Sequence, residues 1–361
     1  MSLAFRDHTK DPGAWANDLG ISRAAIDVYL ASDVIDLHID SFIWTRIFGY
    51  DLTQRHDHGL FGARFYSQSD LPRLREAKVT GGIWVITTNP FRPAVERERV
   101  FVDNLAKLKA ILESCPADVA IVRNVREYEA ARAVGKHAAW IGIQGGNALD
   151  LRPESLDLIE DGLVVRVTLV HLSTSSLGGT SSPYGKRRRE DEGLSRAGKD
   201  YVERLNAKRI FVDLAHISRR GFFDAVAVHD KSQPLIVTHT GIAGAFEHWR
   251  NVDDQQLRAI ADTGGTVGVM YQSSFLGDPL LGGRASRIVD HLGHIVDMVG
   301  EDYASLGSDW DGAIVTPRDM PTVLELPRIV QIMLDRGFSP ERVKKILGKN
   351  FLRALALLRG S

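Results

Sequence analysis

Four histidines fall at or just beyond the ends of short apolar runs: His38, His171, His216 and His239. Asp40 stands two positions after His38, and Asp309 and Asp311 follow another such run. Residues two apart in a strand point the same way, so His38 and Asp40 can reach one cation. Neutral imidazole and carboxylate are the usual ligands of zinc and related metals. Taken singly, each histidine is more simply a hydrogen-bonded residue near a core rim. Together, at the same end of successive runs, they point to a metal site. His8, His56, His58, His137, His229, His248, His291 and His294 sit in loops or on presumed helices, and surface or helix-packing roles are expected for most. His56-Asp57-His58 has ligand spacing but lies in an unpatterned stretch.

The elements that must position these residues alternate. Apolar runs occupy residues 34–37, 81–86, 139–143, 164–170, 210–214, 235–238, 266–270 and 304–306. They are continuously apolar rather than alternating, as in parallel strands covered on both faces. Amphipathic stretches lie between them. Residues 98–113 place Phe101, Leu105, Leu108 and Leu112 on one side, with Val102 beside them. Residues 195–206 open with Ser195, a good N-cap, and residues 252–263 carry Asp253 and Asp254 in the first turn. This alternation predicts an α/β fold, a (β/α)8 TIM barrel; a doubly wound sheet is the alternative. One domain is expected over 1–361, with residues 1–30 as an N-terminal extension packing on the barrel. Residues 50–75 and 173–192 lack a period and are expected as loops at the C-terminal face, where barrels bind substrates.

Lys plus Arg is 45 and Asp plus Glu is 46, which gives no argument for nucleic acid or an anionic membrane. The run Lys186-Arg187-Arg188-Arg189 is offset at once by Glu190, Asp191 and Glu192, so it reads as a solvated loop. The lone Cys115 allows no intrachain disulfide. The first ten residues lack the apolar stretch of a signal peptide, and no window approaches a membrane span. A soluble, cytoplasmic protein is expected.

The motifs resemble those of the membrane (renal) dipeptidases, peptidase family M19. Asp36-Leu37-His38-Ile39-Asp40 resembles that family's opening His-x-Asp motif. Gly142-Ile143-Gln144-Gly145-Gly146 looks like its Gly-x-Glu-Gly-Gly segment, and Val167-Thr168-Leu169-Val170-His171 is similar to its Leu-Thr-His segment. Gly193-Leu194-Ser195, Val212-Asp213-Leu214-Ala215-His216, Thr238-His239-Thr240, Arg250-Asn251-Val252 and Gly307-Ser308-Asp309-Trp310-Asp311-Gly312 continue the series in order. The resemblance implies a hydrolase of dipeptides or related small amides. It implies that His38 and Asp40 bind one metal and His216 and His239 a second. His171 would hydrogen-bond the substrate carbonyl and oxyanion, Arg250 the C-terminal carboxylate, and Asp309 would handle the water's protons. Zinc is the implied metal, with manganese or cobalt also compatible. Proteins of that family are often dimers, which makes a homodimer the expected assembly.

The chain departs from the pattern at Gln144, where the family has a glutamate that bridges the two metals. An amide has one good metal-binding oxygen and no charge. Two divalent ions held close together need anions between them. The expectation is a weakened binuclear centre: one ion with hydrolysis, two ions of low affinity, or a noncatalytic relative that binds a small ligand. A hydrolase of another bond (lactone, ester or natural-product amide) is also open. A second departure is Val269-Met270-Tyr271-Gln272, where the family usually shows an Asn-Phe-type segment; it assigns Tyr271 to the substrate pocket.

Overall fold

The computed structural model describes residues 2–57, 59–89, 91–183 and 192–360. His58 and the basic run at 186–189 lie outside these. The strands are β1 (Ile35–Ile39), β2 (Gly81–Thr87), β3 (Val119–Ile121), β4 (His137–Gln144), β5 (Val164–Thr168), β6 (Phe211–Asp213), β7 (Ile236–Thr240), β8 (Thr266–Val269) and β9 (Ala304–Leu306). Neighbours run β1-β2-β4-β5-β6-β7-β8-β9, all parallel, and β3 pairs only with β4. A parallel bridge between Ile39 and Trp310 brings the last strand's exit back to the first. Two hydrogen bonds flank it: Asp40 N donates to Trp310 O (2.9 Å) and Asp309 N to His38 O (3.0 Å). The fold is an α/β barrel of the (β/α)8 kind, and the seam that closes it holds site residues from both ends.

Every residue of β1, β2, β4, β5 and β7 is buried, as the continuous runs require. Strand β3 was not expected; it adds to the sheet only through its pairing with β4. The helix expected over 98–113 spans Ala94–Glu113 and buries Phe101, Leu105, Leu108 and Leu112, while Val102 is exposed. Ser195 caps the helix Arg196–Ala207 by accepting from Gly198 N at 3.0 Å. Asp253 caps Asp254–Asp262 in a reciprocal box with Gln256. Among the described residues, the stretch 50–75 is loop up to Asp70, which caps a short helix, Leu71–Glu76. Near the N-terminus, Ser22 N donates to Gln331 Oε1 (2.8 Å) and the Tyr29 hydroxyl to Ala77 O (2.7 Å). No helix of the described residues is long and apolar enough to cross a membrane.

His137 opens β4 and is fully buried, not in a loop or on a helix. Its Nδ1 lies 2.9 Å from Val79 O, and Trp84 Nε1 donates to its Nε2 at 3.1 Å. The ring is therefore neutral, with its proton on Nδ1, and burial lowers its pKa to about 4. The unfolded chain takes up this proton near pH 6.5, so the stability is present above that pH and is lost as pH falls towards 4. Wild type is expected to lose roughly 2 kcal/mol more than His137→Gln between pH 7 and pH 4.5. Denaturant midpoints at the two pH values measure this, and equal losses would refute it.

Candidate metal centre

The site is built at the C-terminal ends of the strands. His38 lies in β1 and His239 in β7, both fully buried, with Asp40 just past β1. His216 follows β6 and Asp309 follows β9 at left-handed backbone angles, φ 64° each. Such angles cost a non-glycine residue about 1–2 kcal/mol and are kept where the surroundings enforce them. Here they turn the side chains inward beyond the strand ends. His38, His239 and Asp309 offer ligand atoms within 4.8 Å of one another. His38 and His239 have ring centroids 3.7 Å apart. His216 Nε2 is 2.8 Å from His239 Nε2, and His171 packs edge-on to His216 at 4.7 Å.

The two central imidazoles are held differently. Thr238 Oγ1 donates to Asp213 Oδ2 (2.7 Å), so its oxygen accepts from His239 Nδ1 (3.0 Å). That leaves the lone pair of His239 Nε2 for the centre, as outer hydrogen bonds do for metal-bound histidine. His38 has the opposite polarity. Arg166 Nη2 donates to its Nδ1 at 2.7 Å, and its Nε2, otherwise unpartnered, is 3.5 Å from Asp309 Oδ1. The ring nitrogen His216 Nδ1 is also buried without a partner among the described residues.

Other expected site residues fall outside this cluster. Asp40 accepts from Thr87 Oγ1 at 2.7 Å. Gln144, at the end of β4, turns its Nε2 to His171 Nε2 (3.1 Å), and its Oε1 is buried and unpartnered. Asp311 is a clamp between loops: it accepts from Ser41 Oγ (2.5 Å), Gln68 N (2.8 Å) and Ser69 N (3.1 Å). Tyr271 is fully buried, edge-on to Trp310 at 5.0 Å, and lines neither of the two cavities described below. Two residues past β8, it packs its ring into the hydrophobic core rather than into a pocket. His56 stacks on Tyr50 and bonds Asp70 (3.3 Å), away from the centre.

Burial keeps His38, His216 and His239 well below the ordinary imidazole range and lowers His171 to about 3, so all are neutral. Burial lifts Asp309 well above the carboxylate range, with Asp40 adding repulsion, and lifts Asp40 to about 7. Neutral imidazoles facing carboxylates that ionise with difficulty are a donor set short of positive charge, and a divalent cation would supply it. His38, His239 and Asp309 lie close enough together to share such an ion, and His216 stands against His239. Among the described residues, Asp40 is not in the group whose ligand atoms lie that close together.

Two cavities flank the centre. One of about 930 Å³ is lined by Arg46, Phe91, Arg92, His171 and Leu172. The other, of about 540 Å³, is lined by His216, Arg219, Trp249 and Arg250. Arg250 is buried, and its Nη2 donates to His239 O at 2.6 Å while its Nε has no partner.

Arg166 and Asp213 were not read as site residues. The signal was present: a lone arginine within Val-Val-Arg-Val-Thr and an aspartate closing Phe-Val-Asp are charges inside buried strands, which need partners.

Comparison with known proteins agrees with the architecture. Over 168 residues, 45% of this chain and 60% of the relative's length, the chain is 36% identical to a Klebsiella pneumoniae protein described only as an uncharacterized protein in the pqqA 5' region. Over 355 residues, 93% of the chain and 81% of the relative, it is 25% identical to dipeptidase aclJ of Aspergillus oryzae. It superposes on the crystal structure of dipeptidase AC, a metallo peptidase of family M19, with TM-score 0.80 and 25% identity, covering 91% of this chain and 99% of that one. Residues 22–358 match the profile of the membrane dipeptidases, and the chain belongs to that family, peptidase family M19.

Proposed function

We propose that this chain hydrolyses the amide bond of dipeptides or related small amides at a metal-dependent centre. The observation that carries this is the convergence of His38, His239 and Asp309, with His216 against His239 and a buried Arg250, on the barrel of a dipeptidase family. His239 and Asp309 would hold a divalent ion, zinc by their donor types, which would supply an acidified water and a polarised carbonyl. The chain's own residues do the rest. Asp309 Oδ takes the proton of the attacking water and returns it to the departing amine nitrogen. His171 is neutral and lines the larger cavity; its Nε2 accepts from Gln144 Nε2 at 3.1 Å, so its hydrogen is on Nδ1, the N–H it offers to the carbonyl oxygen. Arg250, fixed through Nη2, turns its remaining N–H groups to the substrate carboxylate.

Arg250→Ala is expected to raise KM for a dipeptide roughly 30-fold, the worth of about 2 kcal/mol for a charge-assisted bond. It should alter KM for the C-terminally amidated dipeptide far less. Equal losses on both would remove the clamp from the account and favour a different scissile bond. The amide at Gln144 favours a second reading, a relative that binds a dipeptide without turning it over. Saturable binding with no product at excess zinc would support that reading.

A further inference from the structure

The guanidinium of Arg166 is fully buried in the barrel beside the centre. Its Nη1 donates to Ile143 O and to Asp213 Oδ2, both at 3.1 Å, and also to Thr168 Oγ1. Its Nη2 donates to His38 Nδ1 at 2.7 Å. The neighbouring strand makes room for it: a Cβ at Gly142 would lie 2.8 Å from Arg166 Nε. Asp213, its counter-charge, is itself held by Ala215 N (3.1 Å), Thr238 N (3.0 Å) and the hydroxyls of Thr168 (2.5 Å) and Thr238 (2.7 Å). This is a built cradle for one fixed positive charge.

We propose that Arg166 is an internal cation that closes the His38–Asp40 side of the centre to a metal ion, so that the chain holds a single ion on His239 and Asp309, with His216, which stands against His239, as the third ligand. The inference rests on the reading of the centre as metal-dependent. Two arguments support it. Arginine only donates, so His38 Nδ1 must accept, and a neutral imidazole then carries its hydrogen on Nε2. The Nε2 of His38 thus presents N–H to Asp309, not a lone pair to a cation. The second argument is charge. A guanidinium touching one candidate ligand repels a divalent ion there, and Gln144 supplies none of the negative charge that a second ion would need. His239 differs at its ring: its Nδ1 faces a hydroxyl oxygen, and the guanidinium of Arg250 meets its backbone carbonyl rather than its imidazole.

The test is metal stoichiometry on the full chain, by elemental analysis after loading with zinc and by cobalt(II) titration read from visible absorbance. Wild type is expected to bind one ion, and Gln144→Glu still one, because Arg166 remains. Gln144→Glu combined with Arg166→Met and Asp213→Asn, which removes the buried charge pair together, is expected to bind two. Should that triple variant fail to fold, two single variants decide the matter. His38→Gln should keep the ion with less than a threefold change in affinity, whereas His216→Ala should weaken it at least 100-fold. Two ions in wild type or in Gln144→Glu, or loss of the ion in His38→Gln, would overturn the proposal. One ion without dipeptide turnover would leave the proposal standing and count against the hydrolase reading. Two ions with turnover would do the reverse.

Discussion

Asp309→Asn is expected to lower kcat on a dipeptide by about 10³-fold at saturating zinc, within the range found for positioned general acids and bases. Asparagine keeps the size of the side chain and the left-handed backbone, which it tolerates better than most residues. It cannot take a proton from water, nor hand one to the leaving nitrogen. Burial and the neighbouring Asp40 both raise the Asp309 carboxyl, which makes it a better base than an exposed aspartate. The variant also removes one anion from the cation site, so zinc affinity falls and the rate must be compared at full occupancy. Steady-state kinetics with metal content measured on the same samples provide the check. Retention of more than a tenth of wild-type kcat would take the proton-transfer role away from Asp309.

Asp213→Leu is expected to cost about 3–5 kcal/mol of folding stability, the usual cost of removing one partner from a buried ion pair. Asp213 is fully buried and touches no cavity described above. It ties β5, β6 and β7 together through Thr168, Thr238 and the backbone amides of Ala215 and Thr238, and it neutralises Arg166. Losing it leaves a guanidinium in the core with no carboxylate and frees the hydroxyl that orients His239. Removing Arg166 in the same molecule (Arg166→Leu with Asp213→Leu) should recover a large part of the loss. Denaturant unfolding of chelated protein measures both. A single-variant cost below about 1 kcal/mol would mean that the pair is not the hub described here.

Much of this site was legible in the sequence because barrel geometry is simple. A histidine or an acid directly after a continuous apolar run must emerge at one rim, and His38, His171, His216, His239 and Asp309 all do. What spacing could not give was the partner of each group. His38 and Asp40 stand two positions apart at the end of one strand, yet the ligand atoms that converge on His38 come from His239 and Asp309. Asp311 sits in the same motif as Asp309, but its carboxylate is spent on Ser41, Gln68 and Ser69, loop contacts far away in sequence. Tyr271 follows a strand just as His239 closes one, and its ring went into the core instead. The Arg166–Asp213 pair joins charges 47 positions apart, and neither residue fits a ligand pattern. Hydrogen-bond polarity, which separates His239 from His38, depends on such long-range neighbours.

The most direct test of the central claim is a zinc titration of dipeptide hydrolysis, starting from protein stripped by a chelator. The account predicts no turnover without metal, turnover that rises and saturates as zinc is added, and its loss on renewed chelation. An absence of turnover across a broad dipeptide panel at saturating zinc, with the metal shown to be bound, would contradict it.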